Sequence, residues 1–285
     1  MADSKFDPVA YKEAQHSQWN NDASGWDRWG ATIDRWFSDV TRSMFDFAGV
    51  HPGCRVLDIA SGAGEPALSA AESVGPNGYV LATDLSEAMV EHVRRRVAER
   101  GLTNVEVRQM DGEQLPLSAD EFDVVLCRVG LMLFPNPNRA LSEWRRVLRR
   151  GGRVVAVVFT EPERNAWGSV PMRIIRERAR VPPPRQGQPG IFSLSGEEQL
   201  RERMREAGYR SVDTRVESNP LRMQSSKEFG QFAREAFGGF NSVMMHLSKE
   251  ERDAVWNDVA LAMKQFEDGE GFSAPSEVLI ACAEK

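Results

Sequence analysis

Between Arg55 and Phe159 short apolar runs alternate with longer amphipathic stretches. The runs "RVLDIA", "GYVLATD", "VEVRQMD", "FDVVLCR" and "GRVVAVVF" are too brief for helices and rich in valine, and they predict five strands. Between them, Glu65 to Val74, Ser86 to Arg100 and Asn138 to Leu148 predict helices, with an irregular segment around Gln114 to Ser118. Strand and helix in strict alternation with short connections predict an α/β fold, a parallel sheet with helices on both faces. Ser86 is placed to cap the helix "EAMVEHVRRRVAER", acids early and arginines late, with Gly101 at its C-terminal stop. Gly151-Gly152 is read in the same way, as the end of the helix "ALSEWRRVLRR" and the turn into the fifth strand.

After Phe159 the rhythm breaks. Residues 160–194 carry Pro162, Pro171, Pro182-Pro183-Pro184 and Pro189, so a helix around "SVPMRIIRERAR" is followed by an extended, proline-held loop. Ser195-Gly196-Glu197-Glu198 predicts a capping box for the helix "EEQLRERMREAG", and "RSVDTRVES" a sixth strand. A mostly helical insertion over about 225–268 precedes a final strand, "SEVLIACAE". The expected organisation is an N-terminal helical lid segment over 1–49 and a main domain over 50–285 with insertions at about 160–194 and 225–268.

Four of the seven tryptophans, Trp19, Trp26, Trp29 and Trp36, fall in the first 36 residues, and positions 26, 29, 33 and 36 share one helical face. Such a face either docks a helix on the core or walls an aromatic-lined ligand site, and the two are compatible.

Composition narrows the function. At 285 residues, 41% hydrophobic and 27% charged, the chain is an ordinary globular one with length enough for a real core. A net charge of −6 argues against nucleic acid as the partner. Cys54, Cys127 and Cys282 are scattered through apolar runs without a C-x-x-C, which reads as buried thiols in a reducing compartment and gives no metal-ligand spacing. The first residues lack a basic start followed by an apolar run, and no stretch approaches the ~18 apolar residues of a membrane span, so a cytoplasmic protein is expected.

The candidate chemistry lies in "RVLDIASGAGEPALSAA". Gly62, Gly64 and Ala67 satisfy the G-x-G-x-x-G/A pattern of dinucleotide-binding turns. In a parallel sheet ligands bind beyond the carboxyl ends of the strands, and three acids stand there: Asp58 late in the first strand, Asp84 ending the second, Asp111 ending the third. A pyrophosphate on the glycine loop would meet the like charge of Asp58, and Pro66 removes a backbone donor where phosphate needs one. S-adenosylmethionine suits the same residues better. It carries no phosphate, and its amine, ribose diol and adenine amine are all groups a carboxylate can receive, while glycine lets the backbone approach its methionine portion.

"VLDIASGAGEPAL", "VLATDLSEAM", "MDGEQLPLSADEFDVVLCRVGLMLFPNP" and "LSEWRRVLRRGGRV" resemble, in order and spacing, the successive motifs of class I S-adenosylmethionine-dependent methyltransferases. Within that superfamily the chain is most similar to the ubiquinone/menaquinone-biosynthesis-like small-molecule group. The resemblance covers residues 50–160 well, the sixth and seventh strands by pattern, and the N-terminus and insertions hardly at all. It implies a Rossmann-like, seven-stranded, mostly parallel sheet whose last strand runs antiparallel between the fifth and sixth. By the same resemblance Asp58, Ala60, Ser61, Gly62 and Gly64 match the methionine-binding loop, with Ser61 and Ala63 replacing the family's more usual cysteine or glycine and threonine. Asp84 matches the ribose acid, with Leu85 and Met89 near the adenine. Asp111, Gly112 and Glu113 match the adenine edge, and Arg128 the basic residue beside the methionine moiety.

Methyl transfer is an in-line displacement whose main demands are near-attack positioning and exclusion of water. A base is needed only for an acceptor that keeps its proton, and Tyr11, His16 and His246 are available outside the core without an assigned role. The fourth strand ends in "CRVGLMLFPNP" and not in the N-P-P-Y-like tetrad of base-modifying amino-methyltransferases, which favours a small-molecule acceptor. Phe232, Phe237, Phe240, Met244, Met245 and Leu247 suit an apolar or aromatic one, and the arginines of "MRIIRERARVPPPR" an anionic one; core packing and a solvated helix face account for the same residues. Two other functions stay open at this point: an NAD(P)-dependent oxidoreductase on the G-x-G-x-x-A turn, and a non-catalytic, cofactor-binding regulatory protein. A homodimer is also left open.

Overall fold

The structure is a computed structural model and describes residues 6–185 and 187–285. The first five residues of the expected lid segment, and Gln186, lie outside the described residues. The five expected strands form as β1 (Arg55–Ile59), β2 (Tyr79–Asp84), β3 (Val105–Gln109), β4 (Phe122–Arg128) and β5 (Leu148–Phe159). The sixth is β6 (Arg210–Ser218), and the last, β10 (Glu277–Glu284), is preceded by three short strands, β7 (Leu221–Met223), β8 (Glu267–Asp268) and β9 (Gly271–Ala274). The main sheet has the order β3-β2-β1-β4-β5-β10-β6. β1 to β5 pair in parallel, and β10 runs antiparallel to both β5 and β6. This is the sheet the resemblance implies. The central strands carry unbroken apolar runs because helices cover both faces.

The helices are α1 (Pro8–Arg28), α2 (Gly30–Trp36), α3 (Ser38–Ala48), α4 (Ala67–Val74), α5 (Glu87–Glu99), α6 (Pro137–Val147), α7 (Ala166–Ala179), α8 (Glu197–Glu206), α9 (Ser226–Ala236), α10 (Gly238–Ser242) and α11 (Lys249–Met263). α5 begins as its sequence says: the Met89 N–H donates to the Ser86 hydroxyl at 3.2 Å. Among the described residues no helix is long and apolar enough to cross a membrane. All three cysteines are free and buried.

Local expectations fail in four places. α6 stops at Val147, and Leu148 is already extended (ψ 143). Gly151-Gly152 lies inside β5, where the register against β4 slips between the Phe122–Leu148 and Val124–Arg153 pairs, so the glycines make an irregularity in a strand and not a helix cap. The capping box at Ser195 does not form, since Gly196 caps α8 with no side-chain bond; the reciprocal box is made at Ser248 and Glu251, ahead of α11. The tryptophan face is split over two helices, α1 and α2, with a break at Trp29. The second insertion is helical, but β9 pairs with both β7 and β8 into a small sheet beside it, and the β7–β9 pairing is non-local with no signature in short polar runs.

The core is continuous from the sheet into the N-terminal helices. Trp36 packs with Phe159 and Trp167 at ring distances of 5.9 and 4.8 Å, and its indole N–H donates to the Asn219 carbonyl at 2.8 Å. α1 meanwhile packs along α5, α9 and α10. The result is a roof over the carboxyl ends of β1 to β4.

Candidate functional site

Beneath that roof is a cavity of about 1370 Å³. Ala60, Ser61, Gly62, Asp84, Leu85, Met89, Asp111, Gly112 and Arg128 line it; Asp58, Gly64 and Glu113 do not.

Asp58 is wholly buried at the end of β1. One carboxylate oxygen accepts the Ala67 N–H at 3.1 Å, and the other, Oδ1, has no partner. Burial pushes the carboxyl well up, against the opposing pull of the Arg128 guanidinium and the Ala67 bond. Arg128 is itself buried: it donates to the Thr41 hydroxyl at 2.9 Å, lies 4.9 Å from the Phe37 ring centre, and leaves its Nε unpartnered. It is no surface ion-pair arginine. The Ser61 hydroxyl, 1% exposed, is unpartnered too. Three orphaned polar groups on one loop and the adjoining strand end are costly unless a polar ligand group satisfies them.

Asp84 is spent differently. Its Oδ2 accepts the Gly62 N–H and its Oδ1 the Ser86 N–H, each at 2.9 Å, so it ties the glycine loop to the start of α5. Burial raises its pKa while these backbone donors oppose the rise. Asp111 accepts the Glu113 N–H at 2.9 Å and the Lys12 ammonium at 2.7 Å. Glu113 accepts from Lys12 and from the Asn136 N–H at 2.6 Å, so both of its oxygens already serve the protein, behind the cavity wall. Two glycines here are fixed by space. Gly62 has φ +53 and a Cβ there would stand 3.3 Å from the Trp26 ring; on Gly112 it would stand 2.8 Å from Ile59 and Phe134.

Lys12 and Asn20 shape the site without any signal in the sequence. Lys12, a lone lysine on a polar helix, reaches Asp111 across 99 residues. Asn20 accepts the Ser86 hydroxyl at 2.6 Å and the Ala88 N–H at 3.2 Å, joining α1 to α5. Trp26 lies over Gly62 and donates its indole N–H to the Ala236 carbonyl at 2.7 Å. The tryptophan face therefore does both things its pattern allows: Trp36 docks, while Trp26 and Trp36 also line the cavity.

Beyond the strand ends the cavity runs into an aromatic chamber of Trp36, Phe37, Phe159, Trp167, Phe237 and Phe240. The Trp167 ring lies 4.9 Å from Phe159 and 5.2 Å from Phe237. Of the second insertion's apolar residues Phe237, Phe240 and Val243 line the cavity; Phe232 and Met244 are core, Leu247 packs against it, and Met245 is exposed. Of the three groups named as available bases, Tyr11 alone lines the cavity, and burial pushes its hydroxyl up to about 12. His16 is bonded to Glu87 and Asn20, and His246 to the Ala179 carbonyl.

Residues 56–152 match the family model of a methyltransferase domain. Over 122 residues the chain is 38% identical to the ubiquinone/menaquinone biosynthesis C-methyltransferase UbiE of Ectopseudomonas mendocina, covering 42% of this chain and 48% of that one. Over 145 residues it is 35% identical to the nocamycin O-methyltransferase of Saccharothrix syringae, covering 50% and 52%. The chain thus spans about half the length of the curated relatives it matches. The solved structure of Haemonchus contortus phosphoethanolamine N-methyltransferase 2 in complex with S-adenosyl-L-methionine superposes with a TM-score of 0.57 at 17% identity, over 91% of this chain and 57% of that one, a likeness of fold.

Proposed function

We propose that this chain, a class I S-adenosylmethionine-dependent methyltransferase of the group similar to UbiE, moves a methyl group to a small apolar or aromatic acceptor held in the chamber. The observation that carries this reading is the convergence of Asp84 at the end of β2, Asp111 just past β3 and the Ser61-Gly62 turn that follows Asp58 on one cavity that continues into an aromatic chamber. Bound S-adenosylmethionine would supply an electrophilic methyl carbon: the acceptor atom forms its bond to that carbon as the carbon–sulfur bond breaks, and the electron pair stays on sulfur.

The chain's own residues fit that group. The unpartnered Asp58 Oδ1 and Ser61 Oγ suit a cationic amine, which would draw the raised Asp58 carboxyl back to its ionised form. Asp84, held at both oxygens by backbone N–H groups, keeps lone pairs for ribose hydroxyls, and Asp111 has the same capacity toward an adenine amine. Leu85 and Met89 offer apolar contact, and Arg128 stands over Phe37 beside the methionine end. A dinucleotide is poorly served, because the Ala67 N–H at the start of α4, a natural phosphate donor, is already given to Asp58. α1 to α3 act as the lid that keeps water out, and the insertions at 160–194 and 225–268 build the acceptor walls. Tyr11, whose hydroxyl burial pushes up to about 12, is a neutral phenol lining the cavity and can donate a hydrogen bond there.

Incubation with methyl-labelled S-adenosylmethionine and a fractionated cell extract tests this. Label should enter the low-molecular-weight fraction; label confined to protein or nucleic acid would overturn the small-molecule reading.

A further inference from the structure

The cavity is lined by charged residues of both signs, among them Lys12, Glu65, Asp84, Asp111 and Arg128 around the strand ends, while α7 and its cap contribute Arg173, Arg176, Glu177 and Arg180. Steps of three and four residues put the three guanidinium groups on one side of that helix. They do not stand alike. Arg173 has Glu177 at 3.3 Å, and both side chains are largely exposed, so that pair is nearly neutral and of little consequence.

Arg176 is half-buried, and its guanidinium bonds the Pro182 carbonyl. Among the described residues no carboxylate pairs with it, and burial alone, unopposed by any acid, lowers its pKa. Arg180 follows at the C-terminal cap of α7, in a left-handed conformation (φ 55, ψ 35), again with no carboxylate partner among the described residues. A helix C-terminus favours cations, which accounts for arginines in that turn. It does not account for both of them lining the cavity, where the half-buried Arg176 guanidinium has no counter-charge; Arg180 is itself exposed.

We propose that Arg176 and Arg180 form an anion subsite in the acceptor chamber, so that the acceptor is an apolar or aromatic organic acid. Its anionic group lies on the two guanidinium groups and its body against Trp36, Trp167, Phe237 and Phe240. Arginine suits this because its planar donor fork matches an oxyanion. The inference rests on the cavity being the acceptor site of the proposed methyltransferase.

The test uses two probes of one shape, 1-anilinonaphthalene-8-sulfonate and the uncharged N-phenyl-1-naphthylamine, titrated by fluorescence into the full chain with S-adenosylhomocysteine present. The sulfonate should bind at least about tenfold more tightly than the neutral probe. Arg176→Gln should weaken the sulfonate about tenfold and leave the neutral probe unchanged. The Arg176→Gln/Arg180→Gln double variant should erase the preference, Arg176→Lys should keep part of it, and Arg42→Gln on exposed α3 should change nothing. Thermal melting of each variant confirms folding, and since neutral-probe binding reports an intact chamber, a loss confined to the sulfonate is a loss of the subsite. Equal affinities in the unmodified protein, or a preference that survives the double variant, would overturn the subsite. Calorimetry with S-adenosylhomocysteine separates the two layers. If it binds and the preference is missing, the subsite alone falls; if the preference stands and it does not bind, the methyltransferase reading falls and the anion subsite remains.

Discussion

The loops at the carboxyl ends of β1 to β4 and the helices that close over them face each other across one cavity, yet different forces hold the two walls. On the strand-end wall carboxylates are fixed by backbone donors: Asp84 by Gly62 and Ser86, Asp58 by Ala67, Asp111 by Glu113. On the roof, aromatic rings meet edge to face, and a few long-range polar bonds set the register, Lys12 to Asp111 and Asn20 to Ser86 among them. A wall of the first kind presents fixed acceptors to one chemical group. A wall of the second kind can change its contour without disturbing the first, and it is here that the match to known methyltransferase domains ends.

The contrast can be broken most forcefully at Trp36. Trp36→Ala removes a buried ring that joins the roof to Phe159 and Trp167, and should cost about 3–5 kcal/mol in urea unfolding. A loss below about 1 kcal/mol would show that the roof is not docked through that cluster. Asp84→Ala attacks the other wall. It should weaken S-adenosylhomocysteine binding by about 1–3 kcal/mol while the protein stays folded, and unaltered affinity in calorimetry would remove Asp84 from the site.

Lys12→Met cuts the tie between the walls. Opening α1 by about 1 kcal/mol would speed limited proteolysis within residues 8–28 roughly fivefold. Unchanged cleavage would mean that the ion pair does not hold the roof down.

A pH-dependent effect is expected at Asp22, where α1 meets α10. Its carboxylate accepts the Gly238 N–H at 2.9 Å, and burial raises its pKa to about 6, against the bonds from Gly238 and Gln18. The native state therefore binds the proton more tightly than the unfolded chain between about pH 4 and pH 6, so protonation relieves the burial penalty on Asp22 and favours folding as pH falls through that window, a gain lost as pH rises through about 6. Asp22→Asn should flatten the dependence in melting curves, and an identical pH profile would clear Asp22 of it.

The same contrast explains what could be read in advance. β1 to β5 and their acids were legible because strand period, glycine turns and carboxylates at strand ends are local patterns. Most of the places where local reading failed involve distant partners. Gly151-Gly152 looks like a helix stop and is a strand irregularity because β4 sets the register of β5. Ser195 has the letters of a capping box, but Gly196 takes the cap position. Lys12 and Asn20 became site residues only when α1 crossed the strand ends, and no periodicity announces a contact 99 residues away. Arg128 could be assigned to the site from the resemblance, but its burial against Phe37 and Thr41 needed the packing of α2 and α3. The arginines of α7 were visible as a charged helix, and only the fold turns three of them toward a cavity.

Isothermal titration of the full chain with S-adenosylhomocysteine, with NADH titrated in parallel, bears most directly on the strand-end wall. Micromolar binding of S-adenosylhomocysteine with none of NADH is the expected result. Binding of NADH alone would contradict the assignment of Asp58, Asp84 and Asp111 together and return the glycine loop to the role of a phosphate cradle.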